Sequence, residues 1–387
     1  MRSNTPYALV IRSSGDLAAT FRHDDFGGAT ADAFTDVSAV EWTFGSVIKN
    51  DATARDFVVL YNPNNSAVDL TLTGFDSAGE AFTLTKTVEA QRRTGWNLNQ
   101  IASVPTGEFG LRLESSLPVV AAVSHYGVGL EAGEAFGSLG QADGGATAGT
   151  ILSLEFEDRL LDDGTVESGD AVLSLLNTGA VDANVTLRFI SRDPLVSLAT
   201  DVASVMVSAN SRSEVSLAAL GLGLDAVSEL SMYYTSDAPV TISAEVNDAL
   251  NTVGTQAIIV AAPQWTFLDT SLDRVRTDGR IRTEDVFVFN PNAAPVQVTI
   301  DFIFSNGEIL GVTKTLDPLE VIDVDARFTD LTITSAQDLS FFVVVKSVGL
   351  GPVVVGMEHW SLEADGGFSV GGLASGTTTD LSTVFAL

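Results

Sequence analysis

Arg55–Val68 reads RDFVVLYNPNNSAV, and the chain repeats it: Glu284–Val296 reads EDVFVFNPNAAPV, and Asp170–Val181 reads DAVLSLLNTGAV. Each time an apolar run meets an Asn-led turn and an alternating run follows. Asn tolerates left-handed φ and bonds its own backbone, while Pro holds φ near about −65°. Beyond the turn, Val68, Leu70 and Leu72 alternate with Asp69, Thr71 and Thr73, and Val296, Val298, Ile300, Phe302 and Phe304 alternate with polar neighbours. A period of two puts the apolar set on one face of a sheet and the Thr/Asp set on the other. Helical spacing is scarce, with Ser213–Leu224 the one candidate for a turn or two. The expectation is an all-β chain.

Self-similarity extends to the whole length. Phe44, Phe156, Phe267 and Phe385 fall at matching places in VEWTF, LSLEF, PQWTF and STVF. On that alignment Leu154 stands where Trp42 and Trp265 do. The repeat is the size of an immunoglobulin- or fibronectin-like β-sandwich. It predicts full units at 41–150, 151–262 (the divergent one) and 263–380. Residues 1–40 read as the closing strands of a partial unit, because YALVIRSSGDLAATFRH (Tyr7–His23) matches FGLRLESSLPVVAAVSH (Phe109–His125) without a gap. Residues 381–387, LSTVFAL, read as the entry strand of a further unit. Two explanations of these open ends stand side by side: a segment of a longer array, or ends that complement one another between molecules as donor strands do.

Composition narrows the function classes. The 387 residues are 45% hydrophobic, with 50 acidic against 20 basic side chains and a net charge of −30. Nucleic acid is an unfit partner, since neutralising phosphates needs basic surface. Without cysteine, disulfides, thiol nucleophiles and thiolate metal sites are excluded. Met1–Asp16 lacks the continuous apolar core of a signal peptide, and no apolar run is long enough for a membrane span.

Candidate chemistry reads mostly as scaffold. His23, His125 and His359 occupy one repeat position, with Val246 in their place in the middle unit, so they lie a domain apart and read as structural. Gly367–Gly371 spells G-x-S-x-G, but no His follows Ser369 and the surroundings are a Gly-rich tail. Carboxylates gather in the loop after the entry strand, and Asp158, Asp162, Asp163 and Asp170 are the set that Ca²⁺ would suit. Their spacing follows no EF-hand, and a solvated acidic loop is the plainer reading; no other cofactor is expected. Trp42 and Trp265 share a repeat position and read as packing. Trp96 lacks an aromatic counterpart and is the candidate for contact with cell-surface glycans. Sequons at Asn64 and Asn184 flank the turns.

With these residues in hand, the chain resembles the tandem repeats of large bacterial cell-surface and secreted proteins. Those units open on an aromatic strand, carry an N-P-N/G turn, and close on P-V-V-A before a His/Met-aromatic pair. The matches are Trp42-Thr43-Phe44 and Trp265-Thr266-Phe267; Asn62-Pro63-Asn64 and Asn290-Pro291-Asn292; Pro118-Val119-Val120-Ala121 with His125-Tyr126; and Pro352–Val355 with His359-Trp360. The resemblance implies an extracellular, non-enzymatic structural or adhesive array, a stalk or spacer whose partners are neighbouring repeats. The alternatives are a self-assembling filament or surface-layer subunit made of like subunits, and a carbohydrate-binding module.

Overall fold

The computed structural model describes residues 8–14, 17, 19–25, 28–128, 135–157, 159–160, 166–167, 169–192, 198–223, 227–248, 251–272, 282–325, 339–349, 351–361, 368–370, 373–375 and 377–385. It is an all-β molecule built from antiparallel sheets that pair into sandwiches.

In the first sandwich one sheet holds the entry strand Ala39–Lys49, the hairpin Val68–Asp76 and Gly79–Val88, and the first half of a long closing strand, Gly107–Gly127. The second half of that closing strand joins Ala54–Tyr61, Arg93–Asn97 and the tail strand Ala135–Leu139 in the other sheet. One strand therefore serves both sheets, changing over near Pro118. The same plan recurs twice, with the closing strand split into two in the third sandwich. Its second version joins Ala146–Glu157, Ala183–Ser191 and Val202–Val207 in one sheet, and Asp170–Asn177, Ser211–Ser216 and Asn251–Gln256 in the other, with Val227–Asp248 crossing between. The third joins Gln264–Leu272, Val296–Phe304, Ile309–Leu316, Leu339–Val348 and Leu373–Ser375, against Arg282–Phe289, Val321–Asp325, Val354–Ser361 and Phe368–Val370.

Alternation explains the cores. Val296, Val298, Ile300, Phe302 and Phe304 are all buried in one cluster with Phe267 and Val343, while Gln297 between them is exposed. Val68, Leu70 and Leu72 do the same with Phe44 and Leu111 in the first sandwich. Leu173, Leu175, Leu187 and Tyr234 centre the second.

Strand pairing corrects the sequence alignment of the middle unit. Leu72, Leu187 and Ile300 stand at equal distances from their turn Asn, and they pair with Leu113, Tyr234 and Val345. On the other side those residues pair with Trp42, Gly149 and Trp265. Gly149, not Leu154, is the counterpart of the tryptophans, and Ile151, not Phe156, that of Phe44. The physical reason is Tyr234, whose ring is fully buried where its counterparts are aliphatic. A Cβ on residue 149 would lie 2.6 Å from Tyr234 Cε1, so only glycine leaves room.

The ends also depart from expectation. Of residues 1–40, Thr20–Asp25 and Gly28–Ala33 form a hairpin, but residues 8–14, which match the first closing half, are in no strand. Leu9, Val10 and Ile11 there are exposed. Within 381–387, Leu381–Val384 is a turn of helix rather than an entry strand. Asp380 caps it by accepting from the Ser382 N–H, and Leu381 is fully buried. Among the described residues no helix is long and apolar enough to cross a membrane.

Candidate functional site: the turns and the joints

The Asn-led turn is a buried clamp. Asn62 Nδ2 donates to the carbonyls of Ser66, Val88 and Glu89 at 2.9, 3.1 and 3.0 Å. Asn290 repeats this with Ala294, Leu316 and Asp317 at 3.0, 3.1 and 3.0 Å, and Asn177 with Val181 and Val207 at 2.8 and 3.0 Å. Each Oδ1 accepts from the N–H two residues on. One side chain thus ties the hairpin's two ends together, which a buried amide with both donors and its acceptor engaged does well. Pro63 is exposed and Pro291 buried, each stiffening the turn behind its Asn. The sequon amides are engaged too: Asn64 Nδ2 donates to Pro118 O and Asn184 Nδ2 to Asp237, both within 2.8 Å.

The histidine position is a cross-strand pair with an acid. His125 Nδ1 meets Asp56 Oδ1 at 2.7 Å and stacks on Phe136, with both members buried. His359 is paired in register with Glu284, which is fully buried, and Val246 with Ala171. His23 is paired with Thr30; the side chains of His23 and His359 lie outside the described residues. The tryptophans act alike: Trp42 Nε1 donates to Val119 O and Trp265 Nε1 to Val353 O, each at 2.8 Å.

Trp96 is only 6% exposed, packed in the first core with Lys86 Nζ 4.9 Å above its ring. It presents no face to a sugar, a correction to its reading as a glycan contact. Ser369 lies in the middle of the strand Phe368–Val370, paired with Glu358, whereas a nucleophile elbow puts its Ser at a sharp turn. Of the acidic loop, Asp158, Asp162 and Asp163 lie outside the described residues. Asp170 accepts from the N–H groups of Ala171 and Ala218 and from the Ser216 hydroxyl. Among the described residues no group of three acidic or His side chains is placed to hold a metal.

What the sequence did not reveal is how the sandwiches join. The entry-strand sheet of each packs its outer face on the second sheet of the next. Between first and second the joint is polar. Thr43 Oγ1 meets Thr241 Oγ1 at 2.6 Å, and Gln141 donates to Ala257 O at 3.0 Å. Arg212, from the second sandwich, donates to Gly45 O, Ser46 and Glu108 of the first and to Ser174 and Glu214 of its own. Gly45 permits the approach, since a Cβ there would lie 2.9 Å from the Ser243 nitrogen. The hydrogen bond to Glu214, with burial, pushes the Glu108 carboxyl up to about 7; the same bond and Arg212 hold Glu214 below the usual range. Burial also raises Glu245 beside them.

Between second and third the joint is apolar. Leu152 and Ala148 meet Phe287, Phe289, Val321 and Val354, and Phe385 from the terminal turn stacks 5.0 Å from Tyr233. Arg192 is half-buried there, donating to the Leu152 and Leu230 carbonyls of its own sandwich at 2.8 and 2.6 Å and lying 4.7 Å over the Phe287 ring of the next. Ser153 donates to Glu358 across the same joint at 2.8 Å.

No protein-family model and no curated protein matches the chain. Among solved structures it is similar to Thermotoga maritima 1070 at 16% identity and a TM-score of 0.26, over 28% of this chain and 97% of that one. It is also similar to the triple jelly-roll turret of an archaeal virus at 10% identity and TM-score 0.16, over 92% and 90% of the two chains. A tetra-tandem repeat from the extending region of a large adhesion protein matches at 15% identity and TM-score 0.13, over 93% and 82%. All three scores are low.

Proposed function

We propose that the chain is a non-enzymatic structural or adhesive array, a block of β-sandwiches serving as a stalk or spacer of a surface protein outside the cell. The observation that supports this reading is the use made of its buried polar groups. Asn62, Asn177 and Asn290 hold turns, His125–Asp56 holds two strands, and Arg212 bonds across a joint. A buried charge bonded across a joint is expensive to separate, so these contacts favour a block that keeps its shape under load. The acidic surface, net −30, keeps such blocks soluble and mutually repelling.

Labelling tests it. Antibody against the chain should decorate intact cells of its source; signal that appears only after permeabilisation overturns the extracellular reading. A second reading, a subunit of a filament or surface layer, draws on one observation: among the described residues the hairpin of Thr20–Asp25 and Gly28–Ala33 pairs with no further strand. Electron microscopy of the purified chain separates the two: fibres favour assembly, and dispersed particles favour the block.

A further inference from the structure

Each sandwich ends one sheet on a strand that is open on its outer side among the described residues. These are Gly79–Val88, Val202–Val207 and Ile309–Leu316, each paired only with the strand that follows its Asn turn. An open edge offers backbone groups to other chains, and inward-pointing charges, lysine above all, guard against that. Two of the three edges are guarded in this way. Lys86 pairs with Leu70 and Lys314 with Val298, and both are half-buried on the inward side, next in line to buried Val88 and Leu316. Lys86 Nζ reaches the opposite sheet, donating to Gly95 O at 2.6 Å. Leu70, Val185 and Val298 stand at equal distances from their turn Asn, and Val185 pairs with Val205. The second edge therefore has Val205 where the others have lysine. It also has Met206, 64% exposed, where they have Thr87 and Thr315. Its sequence, VASVMV, carries no charge in a chain of net −30.

We propose that Val202–Val207 joins a second copy of this chain, antiparallel across a two-fold axis at Val205, so that one sheet runs through both molecules. Backbone geometry sets the register. The Phe189 N–H donates to Asp201 O at 2.8 Å, and bonded pairs alternate along an antiparallel ladder. Ala203, Val205 and Val207 therefore turn their backbone groups to Ala183–Ser191, and Val202, Ser204 and Met206 turn theirs outward. Those of Val202 are taken up locally, its N–H donating to Thr200 Oγ1 and its carbonyl accepting from the same hydroxyl. Ser204 and Met206 are left to bond a partner. They straddle Val205, so the edge is its own complement: Ser204 of one copy faces Met206 of the other, twice, and Val205 meets Val205 at the axis. Ala203 faces Val207 on the same side, which carries the apolar row of the core from one copy into the next. The axial pair is a non-bonded one, where side chains come closest. In the same pairing of either other edge two lysines would meet there, and like charges directly opposite are destabilising. Such an isologous contact is complete with two copies.

This inference rests on the fold and not on where the protein resides, and a contact that closes at two copies builds no filament. A single strand pair is a small interface, so sedimentation of the full chain should pass from monomer at about 1 µM towards dimer at about 1 mM. Hydrogen exchange should slow at Ser204 and Met206 over the same range. Val205→Lys, which copies the other two edges, should fold as the parent does and raise the dissociation constant at least about tenfold. Val205→Glu should do the same. An equimolar mixture of these two chains, each shown folded by circular dichroism, should recover the association, because residue 205 then meets an opposite charge. Ser204→Pro removes an outward N–H, leaves the inward ladder intact and should weaken the dimer as well. A chain that stays monomeric throughout, a dimer indifferent to these substitutions, or exchange slowed only elsewhere overturns the proposal. So does a mixture of the folded Lys and Glu variants that stays apart. None of these outcomes touches the cell-labelling result, so the two readings fail separately.

Discussion

Leu319 holds φ at 62°, in the left-handed region that a branched side chain enters at a cost. Gln91 and Asn210 take the same conformation, at 53° and 50°, at the same place, the turn leading into the short strand of each sandwich. The three turns are therefore one device, and Leu319 is its least suited occupant. Leu319→Asn should stabilise the third sandwich by about 0.5–1 kcal/mol, read by chemical denaturation. A loss of stability would mean that its side chain, 38% exposed, is worth more in packing than the backbone strain. The turn asparagines could be seen in the sequence as turn formers. Their carbonyl clamp could not, because the accepting carbonyls of Val88 and Leu316 lie 26 residues away.

At the level of strands the alternating pattern carried the reading. Phe302 is an inward position with no exposure, packed against Phe341 at 5.8 Å between ring centres. Phe302→Ala should cost about 3–5 kcal/mol, measured by denaturation, whereas less than about 1 kcal/mol would place the side chain outside the core. The pattern failed where one residue's size reset a neighbour's. Tyr234 fills the space beside Gly149, so the entry strand of the second sandwich carries neither tryptophan nor phenylalanine in the expected register. It failed again at LSTVFAL, whose alternation suits a strand. Asp380 caps it into a helical turn, and Phe385 docks on Tyr233 and Phe289. A six- or seven-residue apolar run takes the form its docking site offers.

The whole molecule is governed by its joints, and the polar one answers to pH. Glu108 holds its proton more tightly folded than unfolded, about 7 against an ordinary 4.5. Its contribution is full below the unfolded value and is lost as pH rises through 7. Glu214 is shifted the other way, so its contribution is present above the ordinary value and is lost as pH falls through its lowered one. Melting temperature should therefore drop as pH rises from about 4.5 to about 7 and level off above, and Glu108→Gln, which keeps the hydrogen-bonding shape without the charge, should flatten that drop. An unchanged slope in the variant would remove Glu108 from the joint's pH response. By itself the sequence determined that the chain is all-β, which strand faces turn inward, and where the Asn turns recur. Those follow from local chemistry, the period of two and the φ preferences of Asn, Pro and Gly. Only the tertiary structure decided which residues oppose one another across strands and that the sandwiches stack sheet on sheet. Such facts depend on side-chain volumes and buried charges from segments up to 205 residues apart, as in the Ser153–Glu358 bond, which no local pattern records.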